Sequence, residues 1–219
     1  ALVRLVRELY GTEEFIPLHA PVFAGNEKKY LLDTINSTFV SSVGKYVAEF
    51  EVKVAEYAGS KYAIATNSGT AALHIALKLS GANYNTEVIT QSLTFIATCN
   101  AIRYCNAIPI FVDVDRSTLG LSPQGLEAFL DEYCELRDDG CCWNKSSNRK
   151  VVACLPMHTF GFPVYLNEIR EICLRYRIIL VEDAAESFGS IYKGRSTGTV
   201  GEVSALSFNG NKIITTGGG

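Results

Sequence analysis

The chain has little of what the simplest functional signatures need. Its 219 residues include one methionine, one tryptophan and three histidines. The histidines, His19, His74 and His158, pair with no cysteine at ligand spacing, so no metal site is expected. The seven cysteines are odd in number and contain no C-x-x-C. Several lie in apolar stretches, as Cys154 does in VVACLP, which leads us to expect reduced, buried thiols in a cytoplasmic protein. No apolar run approaches the length of a membrane span. The N-terminal ALVRLVRELYGTEEF interrupts its aliphatics with arginines, so it reads as a short amphipathic helix and not as a secretory signal. A formal net charge of -3 implies no broad basic face for nucleic acid. Neither G-x-x-x-x-G-K-[ST] nor a dinucleotide fingerprint occurs.

What is present is an ordinary globular composition, 47% hydrophobic and 20% charged, long enough for one large α/β domain. Asn26 should cap a helix to Ser37. Residues 39–44, FVSSVG, read as a loop. Val47, Phe50, Val54 and Tyr57 recur at helical spacing from Lys45 to Ala58, and Gly59 is a natural stop. A regular alternation follows. Strands are expected at 62–66, 87–90, 108–114, 151–155, 178–181, 190–192 and 204–208. Helices are expected at 71–79, 97–104, 123–136 and 168–176, the last capped by Asn167. Residues 137–149 read as a polar, exposed excursion. Strands separated by helices imply a mostly parallel sheet with helices on both faces. Ligands then gather beyond the carboxyl ends of the strands.

The residues at those ends carry the chemistry. Lys212 follows the last apolar run, and partial desolvation there favours a neutral, nucleophilic amine; the alternative is a surface lysine in a loop. After 62–66 comes Asn67-Ser68-Gly69-Thr70, where Gly69, the first helical N–H groups and the Thr70 hydroxyl could hold a phosphate; a simple N-cap by Ser68 or Asn67 accounts for it equally well. Glu182-Asp183 closes another strand, and an aspartate there could pair with a cationic ring nitrogen or serve a cap or salt bridge. Phe95 could stack on a planar cofactor or fill the core. His158 is either a polar contact or a satisfied turn residue. Together the set is the equipment for pyridoxal 5′-phosphate: a phosphate cradle, an aromatic plate, a ring-nitrogen partner and a Schiff-base amine.

These motifs resemble the DegT/DnrJ/EryC1/StrS sugar aminotransferases. The similarity runs through FVSSVG (39–44), NSGTAALHIAL (67–77), LTFIATCNAI (93–102), PIFVDVD (109–115), MHTFGFPV (157–164), VEDAAESFGS (181–190) and SFNGNKIITTGGG (207–219). The resemblance implies an aspartate-aminotransferase (type I) fold: an N-terminal segment at 1–25 and a cofactor-binding large domain at 26–219, with the C-terminal small domain beyond this sequence. It implies that Lys212 carries the cofactor and shuttles a proton, that Asp183 meets the pyridine nitrogen, and that Phe95 stacks on the ring. Gly69, Thr70, Ser207 and Asn209 would bind the phosphate, and Glu186 would lie near the ring hydroxyl, where many members have glutamine or histidine. Ser42, in a loop bordering the site, and His158 are the candidate substrate contacts. The implied reaction moves an amino group from L-glutamate, leaving 2-oxoglutarate, to C4 of a nucleotide-linked 4-keto-6-deoxy hexose, in a homodimer with no membrane or nucleic-acid partner. The wording of 21–30, 140–150 and 207–219 is most similar to the branch that aminates N-acetylhexosamine nucleotides for legionaminic-acid and bacillosamine-type sugars. Two other readings are a sugar dehydratase of the same fold, which carries histidine where this chain has Lys212, and a non-catalytic binding module.

Overall fold

A computed structural model describes residues 1–17 and 19–219; position 18, within the expected N-terminal segment, lies outside the described residues. Three helices come first: α1 (Leu2–Tyr10), α2 (Glu27–Ser37) and α3 (Lys45–Ala58). Gly59 ends α3 in the left-handed conformation, φ 73°, which glycine adopts without a Cβ penalty. Asn26 stands at the N-cap of α2, but its side chain makes no capping bond. The alternation then unfolds as α4 (Gly69–Leu79), β1 (Thr86–Gln91), α5 (Ile96–Tyr104), β2 (Ile108–Val112) and α6 (Pro123–Tyr133). It continues with β3 (Cys134–Leu136), β4 (Cys142–Asn144), β5 (Arg149–Leu155), α7 (Leu166–Tyr176) and β6 (Ile179–Asp183). The last elements are the short pair β7 (Ile191–Tyr192) and β8 (Arg195–Ser196), and β9 (Val203–Ala205).

The spine of the sheet is β2–β1–β5–β6–β9, parallel throughout. Successive side chains of a strand point to opposite faces. Val88, Ala153, Leu155, Val181 and Ala205 therefore share one core with Leu73 and Leu77 of α4 and Ala101 and Ile102 of α5. Ile89, Cys154 and Leu180 share the other with Leu126 and Leu130 of α6 and Ile169 and Cys173 of α7. This is the expected mostly parallel sheet covered on both sides.

Four local expectations need correction. Residues 134–136 leave the helix and pair antiparallel with β4, which pairs antiparallel with the first half of β5. The polar stretch from 137 is thus partly a hairpin that widens the sheet, and it buries Cys134 and Cys142 against the α6–α7 core. Asn167 sits inside the first turn of α7, whose N-cap is Tyr165. The last strand ends at Ala205, short of Ser207 and Phe208. Residues 62–66 form no strand, because among the described residues no neighbour offers them a ladder. Tyr62 and Ile64 stay 74% and 82% exposed. A groove of about 1030 Å³ separates this stretch from β9, lined by Val54, Ile64, Ile75, Leu206, Phe208 and Gly219 among others.

Within β6 the core gives way to a buried carboxylate. Glu182 is fully buried and accepts four hydrogen bonds. Its Oε1 receives the N–H groups of Val200 and Gly201, each at 2.7 Å. Its Oε2 receives Gly198 N–H at 2.8 Å and meets His158 Nε2 at 3.0 Å. Since His158 Nδ1 accepts the Val164 N–H at 3.3 Å, the ring proton belongs on Nε2, which donates. Burial alone would push this carboxyl up. The His158 bond and the backbone N–H groups of Gly201 and Gly198 outweigh it, and the group is held below its ordinary value. Gly201 has no room for more: a Cβ there would stand 2.6 Å from the Leu180 carbonyl oxygen.

Two stability measurements follow from this network. Gly201→Ala is expected to lower the unfolding free energy by about 1–3 kcal/mol in urea titrations, because backbone must shift to admit the methyl. Glu182 has a depressed folded-state pKa, so its stabilisation is present above the ordinary carboxylate value of about 4.3 and fades as pH falls through the lowered one. Glu182→Gln should cost about 1–3 kcal/mol at neutral pH, since an amide NH₂ must face backbone donors. That gap should close as the solution is acidified below the ordinary carboxylate value; a gap constant across the acid range would contradict the assignment.

Candidate active site at the carboxyl edge of the sheet

Because the spine is parallel, the ends of β1, β6 and β9 open on one edge. Asp183 closes β6 and pairs in register with Ala205 of β9, two residues before Ser207. Opposite them α4 begins. Its N-cap Ser68 accepts the Ala71 N–H at 3.1 Å, while the first N–H groups of the helix have no intrahelical acceptor. Gly69 is what lets the helix start so close to Ser207: a Cβ would lie 3.0 Å from Ser207 Cβ and 3.2 Å from its Oγ. Gly69, half-buried Thr70 and nearly buried Ser207 thus sit together at a helix N-terminus, a fit for phosphate.

Lys212 lies on a loop tied at its base, where Thr216 N–H donates to the Phe208 carbonyl at 2.9 Å and Phe208 N–H to the Gly219 carbonyl at 2.8 Å. Phe208 is wedged edge-on against Phe50 of α3 at 4.8 Å and against Phe188 at 5.2 Å. The helical spacing in α3 therefore serves to anchor the lysine loop. Lys212 Nζ stands 3.6 Å from Glu186 Oε1, with its side chain only 14% exposed. It also lies over the Phe95 ring, 6.0 Å from the centroid. Phe95 is the N-cap residue of α5 and is largely exposed. Glu186 Oε2 accepts the Phe160 N–H at 3.1 Å, holding a bulky residue in the left-handed region, φ 55°.

Asp183 is buried, yet far less saturated than its neighbour. Oδ2 accepts from Thr98 Oγ1 at 2.7 Å and Oδ1 from Ala185 N–H at 3.2 Å. A carboxylate offers about four acceptor sites, so two are left over. Burial pushes this carboxyl above its ordinary value, against the hydrogen bonds from Thr98 and Ala185 and the charge of Lys212. A buried acid with spare acceptor capacity beside a half-buried lysine suits a cationic N–H donor.

Of the expected site residues, Lys212, Glu186, Phe95, Asp183, Gly69, Thr70 and Ser207 lie along this edge. Three do not join it. His158 is 0% exposed with both ring nitrogens engaged, so it is a strut for Glu182 and not a substrate contact. Asn209 is exposed and donates its amide to Asn211 Oδ1 at 2.9 Å, so its side chain is turned away from the cradle. Ser42 stands exposed in the 39–44 loop, and among the described residues no hydrogen bond joins it to the Lys212 group. Sequence reasoning missed Thr98. The only sign of it was the spacing of Thr94 and Thr98, one helical turn apart where β1 gives way to α5. No group of three or more metal-ligating side chains occurs among the described residues, and no described helix is long and apolar enough to cross a membrane.

The chain is similar to known proteins over nearly its whole length. The GDP-perosamine synthase of Caulobacter vibrioides is 40% identical over 204 residues, 93% of this chain and 50% of that protein. The GDP-perosamine synthase of Escherichia coli O157:H7 is also 40% identical, over 94% of this chain and 52% of its own length. The chain thus spans about half the length of the curated relatives it matches. Among solved structures, the aminotransferase of Psychrobacter cryohalolentis superposes with a TM-score of 0.80 at 33% identity, over 94% of this chain and 47% of that one. The profile of the DegT/DnrJ/EryC1/StrS aminotransferases matches residues 22–219. On that match, in agreement with the solved fold, the chain belongs to the DegT/DnrJ/EryC1/StrS aminotransferase family.

Proposed function

We propose that this chain is the cofactor-binding part, residues 26–219 with a leading segment at 1–25, of a pyridoxal 5′-phosphate-dependent aminotransferase. Its reaction transfers an amino group from L-glutamate to C4 of a nucleotide-linked 4-keto-6-deoxy hexose. The observation that carries the reading is Asp183: a buried carboxylate with unused acceptor capacity, on the same sheet edge as the glycine-opened start of α4 and the Lys212 amine. When bound, the cofactor supplies an electron sink for a carbanion at the amine-bearing carbon. The chain's own residues do the rest. Gly69, Thr70 and Ser207 hold the phosphate, with the helix N-terminus supplying positive potential. Asp183 accepts the ring N–H and keeps that nitrogen cationic. Phe95 covers a ring face. Lys212 Nζ holds the cofactor covalently and, when free, moves the proton between the two carbons that exchange the amine.

The name GDP-perosamine synthase, borne by both relatives above, supports a GDP-linked hexose. The wording of residues 21–30, 140–150 and 207–219 supports instead the N-acetylhexosamine branch of legionaminic-acid and bacillosamine-type pathways. Both share the 4-keto nucleotide sugar. A homodimer, with each site bordered by the partner's loop, belongs to the same reading. The dehydratase alternative is disfavoured by Lys212, which stands where those enzymes carry histidine.

Reconstitution with pyridoxal 5′-phosphate, borohydride reduction and peptide mass mapping should place a phosphopyridoxyl adduct on Lys212. Lys212→Ala should abolish the adduct and slow amination of a UDP- or GDP-linked 4-keto sugar by on the order of 10²–10⁴-fold. An adduct on another lysine, or wild-type turnover by Lys212→Ala, would sink the reading.

A further inference from the structure

A threonine hydroxyl inside a helix commonly bonds back to the carbonyl one turn earlier. Thr98 does otherwise. It sits in the first turn of α5, wholly buried, and its Oγ1 reaches Asp183 Oδ2 at 2.7 Å across 85 residues of sequence. An ionised carboxylate only accepts, so Thr98 must donate. Its remaining lone pairs face Thr94 Oγ1 at 2.6 Å. Thr94 could instead donate to Met157 Sδ at 2.9 Å, but thioether sulfur is the weaker acceptor. The chain therefore runs Thr94 to Thr98 to Asp183, each hydroxyl polarising the next. The same helix start carries Phe95, so the bond that holds Thr98 on β6 also holds the aromatic residue in place.

On the reading given above, we propose that Thr98 is a positioning residue: its hydroxyl, backed by Thr94, fixes the Asp183 carboxylate in the orientation and ionised state that a cationic ring nitrogen requires. Thr98 itself touches neither cofactor nor substrate. The charged and titratable groups facing Asp183 are Lys212, whose charge favours the carboxylate, and His158, whose backbone N–H donates to the Asp183 carbonyl at 3.1 Å. Neither can replace the Thr98 bond to Oδ2.

The test compares two ligands on the same variants. One is pyridoxal 5′-phosphate; the other is its carbocyclic analogue, with C–H in place of the ring nitrogen. Loss of a hydrogen bond to a charged group corresponds to a drop in affinity of about tenfold or more. Thr98→Val should weaken pyridoxal 5′-phosphate by that factor and leave the analogue within about twofold, as read by absorbance titration. Thr98→Ser should restore both affinities. If Thr98→Val fails to fold, Thr98→Ala reads the same pair. Equal losses on both ligands, or no loss on pyridoxal 5′-phosphate, would overturn the proposal while the Lys212 adduct still forms. Absence of that adduct in the unaltered chain would instead overturn the underlying reading, and this one with it.

Discussion

Two consecutive carboxylates on one buried strand are the constraint around which this structure is arranged. Side chains of neighbouring residues point to opposite faces, so Glu182 follows Leu180 into the α6–α7 side and Asp183 follows Val181 into the α4–α5 side. Neither can be left as a bare charge, because an unpaired buried carboxylate costs several kcal/mol. The fold meets the two demands differently. Glu182 is wrapped by three backbone N–H groups and a histidine and is held below its ordinary range. Asp183 gets two donors and is pushed above it. One acid thus holds the 198–201 turn to the sheet, and the other keeps acceptor capacity in reserve at the open edge.

The difference explains which parts of the site could be read from sequence. That Lys212, Asp183, Gly69 and Phe95 would lie along one edge was legible because each follows or opens an element whose apolar pattern announces it, and parallel topology puts such ends together. His158 was misjudged for the same reason. It too follows a strand, and nothing in its neighbours revealed that both of its nitrogens would be consumed, one by Glu182 and one by Val164. The Thr94–Thr98 spacing alone could not reveal the role of Thr98, because its partner lies 85 residues away. Local pattern carries burial and periodicity, but not which side chain meets which across the sheet.

The unpaired stretch at 62–66 makes the complementary point. Its composition is that of a strand, yet strand identity is a property of a pair, and β9, which lines the same groove, pairs with β6 instead. Sequence propensity favoured a strand there. What it could not supply was the neighbour. The same logic accounts for 134–144, where a polar stretch became a hairpin because β5 offered its first half as a template.

The site itself is bipolar, and that dictates what it can hold. Its negative end is Asp183, with Glu186 beside Lys212. Its positive end is the opening turn of α4, brought against Ser207 by the missing Cβ of Gly69. A ligand with an anionic group at one end and a cationic nitrogen at the other is favoured in one orientation and opposed in the reverse, where like charges would face at both ends. Lys212 lies on the loop leading away from Ser207, anchored through Phe208 to α3, so its amine is presented to such a ligand without being buried by it. A dianion or a dication would satisfy one pole at the expense of the other. The proposed phosphorylated, protonatable ring matches both poles at once, whereas the sugar would meet neither of them.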